Sequence, residues 1–299
     1  MDEAEPKGSG RAGYKNMTWT EGRKVAGFNF SHIIFEQKFH ERGGGVARIT
    51  INRPSRLNAL SADTMSEIGE ALDRASRDRG IGVVVLTGAG DKAFSAGGDL
   101  RWGHEVNSNP GALRRQFRTM QVPDDRVLMC RKPVIAAVKG YAVGAGNHLA
   151  YFCDFTIAAD NAIFGQNGPR VASLADGHLV AYLTRVIGAK RAREMWMLCR
   201  RYSAQQALEM GLINAVVPLA KLEEEVDRWC EELLALNPTS LEVLKASFNS
   251  DIDYMAGSAG RFARLIAPDF VEGPDIKEAT EAFLQKRKPD FWQFRKRNR

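Results

Sequence analysis

Residues 81–86, Ile-Gly-Val-Val-Val-Leu, constrain this chain more than any other stretch. An almost continuous β-branched and aliphatic run, broken at once by Thr87-Gly88-Ala89-Gly90, reads as a strand buried on both faces. Such a strand belongs inside a mostly parallel sheet, where each crossover needs a connecting element. The residues before it supply one. Ser61 can cap a helix whose apolar positions Met65, Ile68 and Leu72 recur at three and four, leaving Glu67, Glu70 and Asp73 for other faces. Earlier still, Val46, Ile49 and Ile51 lie in a β-rich run that ends at Asn52-Arg53-Pro54, where proline stops the ladder.

After a polar stretch over residues 101–126 the alternation resumes, with a strand over Val134–Val138, a Gly-rich turn over Gly140–Gly146 and a helix from near Asn147. Phe155–Ala158, Ala162–Phe164 and Ala215–Val217 then follow too closely for a doubly wound sheet with a long helix between every pair of strands. An α/β spiral of ββα units suits them better. The last third is helical: Ser203 caps a short helix ended by Gly211, and Leu222, Val226, Trp229, Leu233 and Leu234 make an apolar stripe up to Asn237-Pro238. A further helix is expected over Ile276–Gln285. The expected organisation is a flexible segment over 1–28, a spiral core over 29–215 and a helical C-terminal region with a basic tail over 216–299.

With 44% hydrophobic and 26% charged residues in 299, the composition is that of an ordinary soluble globular protein. No run of about 18 apolar residues occurs, so no membrane span is expected. The first 28 residues lack the apolar core of a secretory signal. Cys130, Cys153, Cys199 and Cys230 are scattered without CxxC or zinc-finger spacing. Neither disulfides nor a metal is expected, and a reducing, cytoplasmic location fits. The formal charge of +6 resides in residues 285–299, which hold seven Lys or Arg against Asp290. Such a tail attracts phosphate-bearing ligands, nucleic acid or an anionic membrane, or is simply a solvated terminus.

Two Gly-rich turns each follow a strand and precede a helix: Phe94-Ser95-Ala96-Gly97-Gly98-Asp99 and Gly140-Tyr141-Ala142-Val143-Gly144-Ala145-Gly146. Neither has the spacing of a nucleotide-binding fingerprint. Backbone N–H groups at such turns can instead stabilise a developing oxyanion, one donor from each.

Taken in order, Asn52-Arg53-Pro54 with Asn58-Ala59-Leu60, Ala93–Asp99, Gly140–Asp154 and Phe164-Gly165-Gln166 resemble the crotonase, or enoyl-CoA hydratase/isomerase, superfamily over roughly residues 30–290. The resemblance implies a ββα spiral with a helical C-terminal trimerisation region and assembly as homotrimers or hexamers. It implies a CoA-thioester enolate held by the N–H groups of Gly98 and Ala145. CoA, as part of the substrate and with no tightly bound cofactor, would lie along Arg53, Arg56, Leu57, Lys92, Ser95 and Ala96, with Lys286–Lys288 near its phosphates. An RNA-binding role is a minor alternative, since neither an RNP motif nor interleaved aromatics occur.

Ordinary hydratases of this superfamily carry two glutamates, at positions that here read His148 and Gly168. The segments Asp160–Pro169, Arg191–Trp196 and Lys286–Phe291 look like the group containing dihydroxynaphthoyl-CoA synthase and 2-ketocyclohexanecarboxyl-CoA hydrolase. That group makes or breaks a ring carbon–carbon bond beside the thioester. Against the synthase's Ser-Phe-Asp-Gly-Gly-Trp this chain has Ser173-Leu174-Ala175-Asp176-Gly177-His178, and its tyrosine position is Val271. The expected activity is therefore hydrolytic opening of an alicyclic β-oxoacyl-CoA. Asp176 or His148 would activate water and Ser173 would orient it, while the glycine at 168 leaves room for bicarbonate. Hydration or isomerisation of a cyclic or aromatic-derived enoyl-CoA is the alternative, with a non-catalytic acyl-CoA or RNA-binding member behind it.

Overall fold

The computed structural model describes residues 19–102, 123–173, 175, 177–250 and 273–295. The chain begins with β1 (Arg23–Lys24), β2 (Ile33–Phe39) and β3 (Gly45–Ile51), then α1 (Ala62–Arg77) and β4 (Ile81–Gly88). Next come β5 (Ala93–Ser95), α2 (Pro123–Met129), β6 (Val134–Val138), β7 (Tyr141–Val143) and α3 (Ala145–Phe152). They are followed by β8 (Phe155–Ala159), β9 (Ile163–Gly165), α4 (Gly177–Leu198), β10 (Arg201–Ser203), α5 (Ala204–Glu209) and β11 (Ala215–Val217). Three helices complete the described chain: α6 (Leu222–Leu234), α7 (Pro238–Asn249) and α8 (Pro274–Leu284).

The strands form two sheets, one of seven in the order β1-β2-β3-β4-β6-β8-β11 and one of four in the order β10-β9-β7-β5. From β3 onward the large sheet is parallel, while β1, β2 and β3 pair antiparallel. Three inner strands of the large sheet pass within a few residues into a strand of the small sheet: β4 into β5, β6 into β7, β8 into β9. The fold is thus an α/β spiral of ββα units.

Alternation on the large sheet sorts side chains into two cores. Val46, Val83, Val85, Ile135, Ala137 and Ile157 pack beneath Leu222, Val226, Cys230 and Leu233 of α6. Their neighbours Ala47, Ile49, Val84, Leu86, Val134 and Ala136 face α1 and the small sheet. Burying each large aliphatic side chain stabilises the fold by about 1.5–3 kcal/mol. The Ser61 side chain caps α1 by accepting from the Thr64 N–H at 3.3 Å. Ser203 and Gln206 close a reciprocal capping box on α5.

Several boundaries differ from the sequence expectation. The helix expected near Asn147 starts at Ala145, because Gly144 adopts φ +57° and completes the turn earlier. The short strand expected over Ala162–Phe164 runs one residue later. The last helix begins at Pro274, which suits a first helical position, and ends at Leu284. Beyond Asn237-Pro238 the chain forms another helix, α7, capped by the Asn237 side chain. Part of the expected flexible lead-in is held: Trp19 bridges to His40 and β1 pairs with β2. Among the described residues no helix is long and apolar enough to cross a membrane.

Candidate active site at two adjoining glycine turns

Gly97 and Gly144 make the site by letting two backbones touch. Gly97 has φ +102°, and a Cβ there would stand 2.7 Å from the Val143 carbonyl oxygen and 3.4 Å from the Ala145 nitrogen. Gly146 is equally constrained, since a Cβ would stand 2.2 Å from the Ser95 carbonyl oxygen. The start of α3 is therefore pressed onto the end of β5.

Hydrogen bonds pin each turn. Leu60 N–H donates to the Gly97 carbonyl at 2.8 Å, and Asp99 N–H donates to the Leu60 carbonyl at 3.0 Å. Gly144 N–H donates to Gly165 at the end of β9, and His148 N–H donates to Gly144, each at 3.0 Å. Ala145 occupies the first position of α3, where an N–H has no intrahelical acceptor. A Cβ at Gly98 would meet nothing within 4 Å, so that side of the turn is open. The N–H groups expected to act as donors belong to these two touching turns.

The residues expected along CoA divide into two kinds. Arg53 donates to the Asp99 carboxylate at 2.8 Å, and its side chain is largely covered. Burial pushes the Asp99 carboxyl up, but the Arg53 guanidinium and the Arg101 and Trp102 N–H groups outweigh it and hold it below the usual carboxylate range. Ser95 is fully buried and accepts from the Gly97 N–H at 3.2 Å. Arg53 and Ser95 thus shape the turn rather than present free side chains. Ala96 N–H donates to the Leu57 carbonyl at 2.9 Å. Arg56, Leu57 and Lys92 are exposed, as is Lys286 after α8. The neighbouring Arg287 is not free in the tail: it forms a two-pronged pair with Glu278, at 2.6 and 2.9 Å.

A cavity of about 650 Å³ is lined by Gly168, Ser173, Trp196, Asp275, Phe291 and Phe294 among others, and Trp196 joins it to His148 of α3. This volume is within the range of small-molecule sites. Gly168 opens a single 3-10 turn after β9, and the Ser173 N–H donates to its carbonyl at 3.0 Å. A Cβ at Gly168 would stand 3.0 Å from the Ser173 carbonyl oxygen and 3.7 Å from the Trp196 ring. Ser173 is exposed on the cavity wall. Asp176 and Val271 lie outside the described residues.

His148, one turn into α3, is buried with its ring centroid 5.3 Å from that of Trp196 and 5.7 Å from that of Tyr151. Burial pushes its pKa down to about 4, against an upward pull from the Gln166 amide, which stands near the ring without meeting hydrogen-bond geometry, and nearby His178 adds to the depression. The imidazole is therefore neutral at pH 7. His148 Nε2, both heteroatoms of the Gln166 amide, Asn147 Oδ1 and Trp196 Nε1 are buried without a hydrogen-bond partner among the described residues. Buried polar atoms of this kind are normally satisfied, so the cluster is suited to a polar group of a ligand or to water.

Four contributors escaped sequence reasoning. Asn58 donates to the Ala89 and Ala93 carbonyls and accepts from the Arg53 N–H, tying the first loop to the second. Arg201 donates to the Gln166 carbonyl and to Asn167 Oδ1, which fixes the approach to Gly168. Trp196 and Asp275 reach the cavity from distant segments. Asn58 and Trp196 carried a signal, through their places in the Asn58-Ala59-Leu60 motif and the Arg191–Trp196 segment.

A sequence profile of the enoyl-CoA hydratase/isomerase family matches residues 41–295. A solved enoyl-CoA hydratase/carnithine racemase from Magnetospirillum magneticum is 30% identical, covers 88% of this chain and 96% of its own, and superposes with a TM-score of 0.68. An enoyl-CoA hydratase from Bacillus anthracis is 32% identical over 87% of this chain and 98% of its own, with a TM-score of 0.67. Methylmalonyl-CoA decarboxylase, solved in complex with 2-nitronate-propionyl-CoA, shares the fold at a TM-score of 0.74 and 24% identity, covering 88% and 99% of the two chains. With the profile spanning both glycine turns and the cavity wall, this chain belongs to the enoyl-CoA hydratase/isomerase family.

Proposed function

We propose that this protein binds an acyl-CoA, stabilises its thioester enolate with the N–H groups of Gly98 and Ala145, and opens the ring of an alicyclic β-oxoacyl group by hydrolysis. The observation that carries the reading is the contrast between the two touching turns and positions 148 and 168. The turns offer main-chain donors, whereas a neutral histidine and a glycine stand where a hydratase's glutamates are expected. Beside them, the cavity walls of Trp196, Phe291 and Phe294 suit a compact apolar ring.

In this reading water adds to the ring ketone and the bond to the α-carbon breaks, leaving the thioester enolate. Its oxygen is the charge that the two N–H groups hold. A lost donor of this kind costs about 2.7–4 kcal/mol in barrier height. His148 and Gln166 accept and donate hydrogen bonds to the reacting oxygens without ionising. Ser173 offers a hydroxyl on the cavity wall beside Gly168, and Arg56, Leu57, Lys92 and Lys286 would meet the CoA moiety. Assembly as trimers or hexamers belongs to the same reading, and the exposed Leu244 and Phe248 of α7 offer apolar surface for it.

Hydration of a cyclic enoyl-CoA is the second reading, favoured by the likeness to solved hydratases. Mass spectrometry of 2-ketocyclohexanecarboxyl-CoA incubated with the enzyme in heavy-oxygen water separates them. A dicarboxylic mono-CoA product labelled in its new carboxylate supports ring opening. Intact β-oxoacyl-CoA, together with hydration of a cyclic enoyl-CoA, overturns it in favour of the hydratase.

A further inference from the structure

We infer that Asp275, at the start of α8, is the carboxylate that takes the proton from the attacking water. The inference rests on the function proposed above and names the base of that same site. Among the described residues lining the cavity, Asp275 is the single ionisable one; Gly168, Ser173, Trp196, Phe291 and Phe294 are small, hydroxylic or aromatic. The wall that carries it is braced. Gly273 and Pro274 start α8 so that Asp275 falls in its first turn. One turn later, Glu278 is gripped by Arg287 and accepts from the Asp290 N–H at 2.6 Å. That grip holds the segment bearing Phe291 and Phe294 against the same cavity.

Charge decides between this carboxylate and His148. A neutral histidine acting as base must become an imidazolium, and burial beside Trp196 and Tyr151 makes that costly, as its depressed pKa of about 4 records. A carboxylate accepting a proton loses its charge instead, so the step creates no buried cation. The unpartnered atoms of His148, Gln166 and Trp196 can still hold the substrate's oxygens by hydrogen bonding.

The step balances as follows. One proton of water passes to an Asp275 oxygen while the water oxygen bonds to the ring carbonyl carbon and the carbonyl π pair moves onto its oxygen. The bond to the α-carbon then breaks, its electron pair entering the thioester, and the new carboxylic acid forms. The proton on Asp275 is finally delivered to the α-carbon.

The test uses the full-length protein. Asp275→Asn is expected to lower kcat about 10²- to 10⁴-fold, the usual share of general-base catalysis, with KM and Tm little changed. Asp275→Gly is expected to recover part of its activity when formate is added, because formate replaces the missing carboxylate and no structural role predicts that. Turnover by Asp275→Asn within about threefold of the parent overturns the assignment, as does an Asp275→Gly loss that formate leaves untouched. Abolition of turnover by Asp176→Asn, with Asp275→Asn still active, overturns it too. A parent enzyme that binds acyl-CoA but turns over neither the β-oxoacyl nor the enoyl substrate removes the functional reading itself, whereas active parent and variant remove only Asp275.

Discussion

Stability should fall in mild acid through His148. Its folded pKa of about 4 lies below the unfolded value of 6.5, so between these values the unfolded chain binds the extra proton and the folded chain does not. Stability from this group is therefore complete above about pH 6.5, declines as pH falls, and is fully lost below about 4. The whole displacement corresponds to roughly 3 kcal/mol, of which about 2 kcal/mol should have gone by pH 5. Urea unfolding at a series of pH values, at fixed protein concentration, measures it for the parent and for His148→Gln, whose amide does not titrate. Subtracting the two curves cancels the other histidines and the carboxylates. A difference that steepens between pH 6.5 and 4.5 supports the assignment. Parallel curves would refute it, because they would mean that the imidazole is hydrated enough to charge in place.

Ala145→Pro should fold, since proline is well tolerated at the first position of a helix, yet lower kcat about 10²- to 10³-fold by deleting one main-chain donor. Acyl-CoA binding by calorimetry should survive, and near-normal turnover would remove Ala145 from the site. Gly146→Ala forces a methyl toward a backbone oxygen 2.2 Å away, so a loss of at least about 3 kcal/mol in urea and a separation of the two turns are expected. Arg53→Ala strands the Asp99 carboxylate in a largely covered place, with an expected cost of about 3 kcal/mol in the same assay. An unchanged midpoint would show that solvent reaches Asp99.

The strands were legible where burial is continuous. Ile81–Leu86 and Val134–Val138 admit little besides an interior strand, and both are strands, although Thr87 and Gly88, read as the break, stay paired with Thr50 and Ile51 as the last residues of β4. The first residues of α3 were not, because Ala145 and Gly146 say nothing about a helix start until the positive φ of Gly144 is known. Arg53 shows the limit at the site: a basic residue in an ordered motif reads as a phosphate ligand, and only its distance to Asp99 reveals a brace. Asp275 was illegible for a related reason. An acid after Gly273-Pro274 reads as ordinary helix-end chemistry, and nothing local announces that α8 crosses to Gly168 and Trp196.

Because the proposed charge-stabilising donors are main-chain atoms on touching turns, ordinary side-chain replacement leaves them in place. The turns' geometry is guarded by glycines whose missing Cβ atoms face backbone, at Gly97 and Gly146. Residues 148 and 168, by contrast, sit on successive coils of the spiral and can be exchanged without disturbing those contacts. A library randomised at 148, 168, 173 and 275 on this scaffold would therefore sample new reactions of one shared intermediate, while randomising 97 or 146 would part the two turns.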